Sequence, residues 1–127
     1  MIAPYRMLVS EGVIRRPYSV NVCLGARWGL PADPKSLFFM SAMMDDSAPW
    51  GVIHDGMQDL SLLAAAVAMG AAVIRVGFED SLYTAPGRAA RSNAELVQRA
   101  AALVRSMGCE VAAIEEARAI LGLPIGG

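Results

Sequence analysis

Arg75, Glu79 and Asp80 are the side chains whose types and spacing could do chemistry together. They lie in residues 71–87, AAVIRVGFEDSLYTAPG, where an apolar β-like segment runs straight into two adjacent acids. A carboxylate at the end of a strand suits a hard or borderline cation. A second carboxylate beside it, held against an arginine, can act as a proton acceptor. The arginine favours the charged carboxylate and burial favours the neutral one, so the sequence leaves that balance open. The plainer alternative is a pair of solvated loop acids next to a strand-edge arginine. The residue pattern by itself supports both readings.

Alternation along a strand predicts that Arg75, Gly77 and Glu79 share one face, with Val76 and Phe78 packed under helices on the other. Residues 75 and 79 would then stand about 13 Å apart along a regular strand. Pairing Arg75 with either acid therefore requires the chain to curl, and Gly77 is where a bulge could do this. Asp80 is expected in the loop that follows, at the carboxyl end of the strand. In α/β folds ligands bind at that rim.

Three apolar runs could position such a rim, with strands expected near residues 19–24, 50–54 and 72–77. Each is followed by a segment with helical punctuation. Asp33 can cap a helix whose first turn holds Pro34. Met57, Leu60, Leu63, Ala64, Val67 and Ala68 recur at helical spacing, and Gly70 is placed for a left-handed end. Ser92 and Glu95 have the spacing of a capping box, and Gly108 closes that helix. A last short helix ends at Gly122. The order is β-α-β-α-β-α, which joins parallel strands through helical crossovers. The class is α/β. Periodicity is compatible with a small open sheet or with an arc of an eight-stranded barrel.

Composition narrows the function. The 127 residues allow one modest domain. With 55% hydrophobic residues and only 6% aromatic ones, the chain suits strands covered on both faces, or a piece of a larger assembly. A formal charge of −1 with no basic block argues against nucleic acid as a partner. The apolar run at 62–74 is too short for a membrane span and is interrupted by Gly70. The first residues lack a charged leader followed by an apolar run, so a cytoplasmic protein is expected. One histidine and two distant cysteines, Cys23 and Cys109, do not make a self-contained zinc site. Two reduced, buried thiols are the expectation.

With RVGFEDSLY, RSNAELVQRAAALVRSMGCEVA and EEARAILGL, the chain resembles the C-terminal part of the β-keto acid cleavage enzymes. This is the family of the 3-keto-5-aminohexanoate cleavage enzyme of lysine fermentation. SVNVCLGARWGLPADPKSL, Trp50 and Gly56 extend the likeness over nearly the whole chain. The resemblance implies a (β/α)8 TIM barrel, commonly oligomeric, of which residues 1–127 cover about the last three βα units. It also implies a divalent metal, usually zinc, and acetyl-CoA as co-substrate. Such enzymes exchange acyl units between a β-keto acid and acetyl-CoA, giving acetoacetate and a new acyl-CoA. By the same likeness Glu79 matches the carboxylate metal ligand. Asp80 matches the acid that takes a proton from the keto acid, and Arg75 the arginine that orients it.

The sequence also departs from that pattern. Nothing in it matches the family's His-x-His metal pair, and one carboxylate is a poor site for zinc. His54 is expected as a strand or substrate-contact histidine. Met57 follows Gly56 where the family often has arginine, and Ser81 stands where asparagine is common. The last helix lacks the usual Thr-Pro start. Two readings compete. In one, the chain belongs to an enzyme whose N-terminal barrel half lies elsewhere. In the other, it is an inactive barrel remnant that self-associates through its open sheet edges.

Overall fold

The computed structural model describes residues 2–44 and 47–124. Its elements are α1 (Ile2–Ser10), β1 (Val20–Cys23), α2 (Pro34–Ala42), β2 (Trp50–Ile53), α3 (Ser61–Ala68) and β3 (Val73–Arg75). A small hairpin, β4 (Tyr83–Ala85) and β5 (Arg88–Ala89), precedes α4 (Asn93–Ser106) and α5 (Ile114–Leu121). The first three strands form one parallel sheet in the order β1-β2-β3. Its register aligns Cys23 with Ile53 and Ile53 with Arg75, so these three side chains share a face.

Local signals account for most of the helix ends. The Asp33 carboxylate accepts from the Ser36 N–H at 2.8 Å and Pro34 opens α2. Ser92 accepts from the Glu95 N–H at 3.2 Å at the start of α4. The reciprocal half of that box is displaced by one residue, since Glu95 accepts from the Arg91 N–H at 2.9 Å. For α5, Glu116 accepts from the Ala113 N–H at 2.8 Å, which supplies the start that the missing Thr-Pro left open. Gly70, Gly108 and Gly122 all have positive φ, as helix-ending residues need.

Helices cover one face of the sheet. Val22, Leu24 and Val52 pack there against Leu37 of α2 and Leu62, Leu63 and Ala66 of α3, with Ile74, Val76 and Leu103 at the margin. Each fully buried side chain of this kind contributes roughly 1.5–3 kcal/mol. The other face carries Asn21, Cys23, Ile53, Val73 and Arg75, and its ends are exposed. Gly51 is enclosed between them. A Cβ there would lie 2.5 Å from the Val73 carbonyl oxygen and 2.6 Å from Asn21 Oδ1.

Several expectations are corrected. The third strand stops at Arg75, because the Asp80 and Ser81 N–H groups both turn back to the Gly77 carbonyl at 2.9 Å. Phe78 thus sits in a turn and is 41% exposed, not packed under a helix. The helix after β2 begins at Ser61, not near Met57. Residues 54–60 form a loop in which Asp59 Oδ1 takes the Ser61 N–H at 2.8 Å. Met57 is nevertheless buried. Cys23 and Cys109 are free as expected but exposed. Neither α1 nor the β4–β5 hairpin was expected; Pro86 and Gly87, with φ +72, are the turn signal that could have revealed the hairpin.

Candidate active site at the carboxyl ends of the strands

The turn at Gly77 decides what the acids do. On a continued strand Glu79 would lie far from Arg75; here Arg75 Nη2 reaches Glu79 Oε2 at 3.1 Å. Asp80 is held more firmly. Arg75 Nε donates to Oδ2 at 2.9 Å and Nη2 to Oδ1 at 2.8 Å, a two-pronged pairing. The Asp80 carbonyl accepts from the Gly56 N–H at 3.0 Å, which ties the turn to the loop after β2. Ser81 is buried and donates to the Met57 carbonyl at 2.6 Å, so the turn is pinned on both sides.

The two acids differ in exposure. The Asp80 side chain is 8% exposed and that of Glu79 is 87% exposed. Asp80 is therefore a sheltered acceptor with two lone-pair positions left beyond those Arg75 uses. Glu79 gives one oxygen to Arg75 and keeps the other open to a partner from outside. The Arg75 guanidinium is held in its charged form, with its pKa raised first by the hydrogen bonds to Asp80 and then by that residue's charge.

The same rim includes residues that the sequence did not single out. Cys23 Sγ donates to Asp55 Oδ2 at 3.4 Å, across the ends of β1 and β2. Burial raises the Cys23 pKa most, followed by the Asp55 hydrogen bond, the charges of Asp55 and Asp80 adding and Arg75 opposing. Cys23 is thus a neutral thiol placed between the Asp55 and Asp80 carboxylates and Arg75. Beside it, a groove of about 590 Å³ runs between α1 and α2, lined among others by Arg6, Leu24, Trp28, Phe39 and Met40. Only the parallel register could have revealed that Cys23 and Asp55 meet.

His54 falls elsewhere. It shares the helix-facing side with Val52, is 0% exposed, and has Nε2 2.7 Å from the Asp59 carbonyl. The carbonyl must accept, so Nε2 carries the proton and Nδ1 is left without a partner. His54, expected as a strand or substrate-contact histidine, is a packed histidine at the end of β2, on the face opposite Arg75, since residues 53 and 54 point to opposite faces.

A cation fits the rim only in part. Glu79 has the right oxygen chemistry for one ligand, but among the described residues no three His, Cys, Asp or Glu side chains are grouped to hold a metal ion. Also among the described residues, no helix is long and apolar enough to cross a membrane.

A parallel α/β sheet with helices on one face and an Arg–Asp–Glu turn at its carboxyl rim defines the class of protein. The particular family follows from comparison. The model of the beta-keto acid cleavage enzymes matches residues 1–123, and the chain belongs to that family. It is 38% identical to the 3-keto-5-aminohexanoate cleavage enzyme of Fusobacterium nucleatum, over 89% of this chain and 40% of that relative. It is 35% identical to the protein of the same name from Acetoanaerobium sticklandii, over 91% of this chain and 42% of the relative. The 3-dehydrocarnitine:acetyl-CoA trimethylamine transferase of Rhizobium meliloti is 36% identical, over 93% of this chain and 39% of its own length. The chain thus spans about two-fifths of the length of these relatives.

Proposed function

We propose that this chain forms the last three βα units of a (β/α)8 barrel that cleaves a β-keto acid with acetyl-CoA, giving acetoacetate and an acyl-CoA. The relatives' names support the substrate class, since they specify keto acids and, for the transferases, acetyl-CoA. The observation that carries the reading is the Arg75–Asp80 pairing, with Glu79 on the same guanidinium. In this reading Asp80 removes the proton from the carbon between the ketone and the carboxylate. Arg75 fixes the Asp80 oxygens so that an unused lone pair points toward that carbon.

Glu79 is proposed as one ligand of a divalent cation such as zinc, the remaining ligands coming from the barrel half outside the matched segment. When bound, such a cation makes the α-carbon more acidic by polarising the ketone. The described residues do not complete its site, so no further step is assigned to it. A cytoplasmic location and a homo-oligomeric assembly are part of the same proposal.

A chimaera tests this reading. Residues 1–123 replace the matching segment of the Fusobacterium relative, and acetoacetate is measured with 3-keto-5-aminohexanoate and acetyl-CoA. The chimaera should be active, and Asp80→Asn should lower its rate by roughly 10²–10⁴-fold. Glu79→Ala should lose bound divalent metal by elemental analysis. An active Asp80→Asn variant would refute the base assignment.

A second reading rests on exposed apolar surface. Trp28 is 89% exposed, and Phe38, Phe39 and Ile114 are exposed as well. A self-associating, non-catalytic module would cover them. Both readings include self-association, so the chimaera distinguishes them: an inactive chimaera beside a stable homo-oligomer of this chain favours the module.

A further inference from the structure

We infer that His54 is a positioning residue: through its ring N–H it fixes the loop that sets where the Asp80 carboxylate stands. This deepens the proposed function and rests on it for the role of Asp80. The ring itself is the anomaly. His54 is 0% exposed, its Nε2 lies 2.7 Å from the Asp59 carbonyl oxygen, and among the described residues its Nδ1 has no partner. An unsatisfied buried nitrogen costs free energy that a leucine of similar size would not incur. Packing alone therefore does not call for histidine here. What leucine cannot supply is the N–H donated to Asp59, which closes residues 54–59 into a fixed loop.

That loop is joined to the turn that carries the acids. Between its two ends, the Gly56 N–H donates to the Asp80 carbonyl at 3.0 Å and the Met57 carbonyl accepts from the Ser81 hydroxyl at 2.6 Å. At its start, the His54 backbone N–H donates to the Arg75 carbonyl at 3.0 Å. The loop thus bridges Arg75 and Asp80, whose side chains pair at 2.8 and 2.9 Å. From α4, Asn93 Oδ1 accepts the Phe78 N–H at 2.8 Å and holds the start of the turn. The half with Asp80 and Ser81 depends on the His54 loop. Without the ring N–H the loop loses its closing contact, and Asp80 shifts with it. A misplacement of about 1 Å is enough to cost roughly 10²-fold in rate.

Hydrogen exchange in the intact ¹⁵N-labelled chain, followed by NMR, tests the inference without catalysis. The Arg75 Nε–H reports the bond to Asp80 and the Gly56 amide reports the loop. The Val20 and Ala72 amides, bonded to the Pro49 and Trp50 carbonyls, report the sheet. His54→Leu should speed exchange at Arg75 and Gly56 roughly tenfold relative to Val20 and Ala72. His54→Gln, whose side-chain N–H has a similar reach, should restore slow exchange. A histidine that only packs would move all four probes together when replaced. A uniform change or no change in His54→Leu overturns the inference, as does fast exchange at Arg75 in His54→Gln. A His54→Leu chain that fails to fold also overturns it, because the ring would then serve stability. In the chimaera, His54→Leu should lower kcat about tenfold with KM within about twofold, and an unchanged kcat would likewise overturn the inference. An inactive chimaera alongside the expected exchange pattern counts instead against the catalytic reading alone.

Discussion

The two faces of the parallel sheet are made from the same strands but are built for different ends. On the helix side Val22, Leu24, Val52 and His54 are closed off from solvent, so that even the polar-edged His54 ring is sealed in. On the other side Cys23 and Arg75 are exposed, and the acids gather at the carboxyl rim. The first face holds the fold together through apolar contact. The second contributes little burial and carries charged groups that need partners. The lesson is that stability and chemistry are separated by strand parity, one residue apart along the chain.

That separation can be broken or sharpened by substitution. Leu63→Ala on the helix face should have the largest effect, about 2–5 kcal/mol of lost stability in chemical denaturation. Gly51→Ala tests the other side. Although Gly51 faces away from the helices, its new methyl would collide with the Val73 carbonyl and the Asn21 side chain. A loss of about 1–3 kcal/mol is expected, and a neutral outcome would mean that β2 and β3 can part without penalty.

Smaller effects should follow at the rim. Arg75→Ala should destabilise less than either, by leaving the sheltered Asp80 carboxylate without its two donors. Asp55→Asn should change stability by less than about 0.5 kcal/mol. Its effect should be chemical. Part of the raised Cys23 pKa comes from Asp55, so the variant should speed alkylation of Cys23 by iodoacetamide roughly two- to fivefold near pH 8. A thiol whose pKa is raised on folding adds stability below its unfolded pKa, and that increment is lost as pH rises through the folded value.

The smallest effect concerns α4. The Arg91 N–H, first among the causes, holds the Glu95 carboxyl below the usual range. The resulting stability is present above the unfolded pKa of glutamate and is lost as pH falls through the lower folded value. Acid titration of Glu95→Gln, followed by helix signal, should show a shallower decline than the parent.

Much of this was legible before any coordinates. Asp33, Ser92, Gly70, Gly108 and Gly122 mark helix ends through contacts within a few residues, and the alternation of strand and helix gave the parallel α/β class. The boundaries that failed were those where a tertiary contact overrode local spacing. The helical periodicity at Met57 and Leu60 predicts helix, yet the His54 ring and the Asp59 carbonyl hold that segment as a loop. The strand expected through residue 77 ended at Arg75, because Gly77 offered its carbonyl to two later amides.

What the sequence by itself determined is therefore short in range: where helices start and stop, which residues alternate, and that two acids follow an arginine-bearing strand. What only the tertiary structure decided is which distant groups meet. Cys23, Asp55 and Arg75 are each separated by twenty or more positions, and they are assembled solely by parallel register and the common rim of three strands. The physical reason is that hydrogen bonds within one turn are specified by neighbouring residues. Contacts between strands depend on how a whole apolar face packs, and no local stretch of chain encodes that.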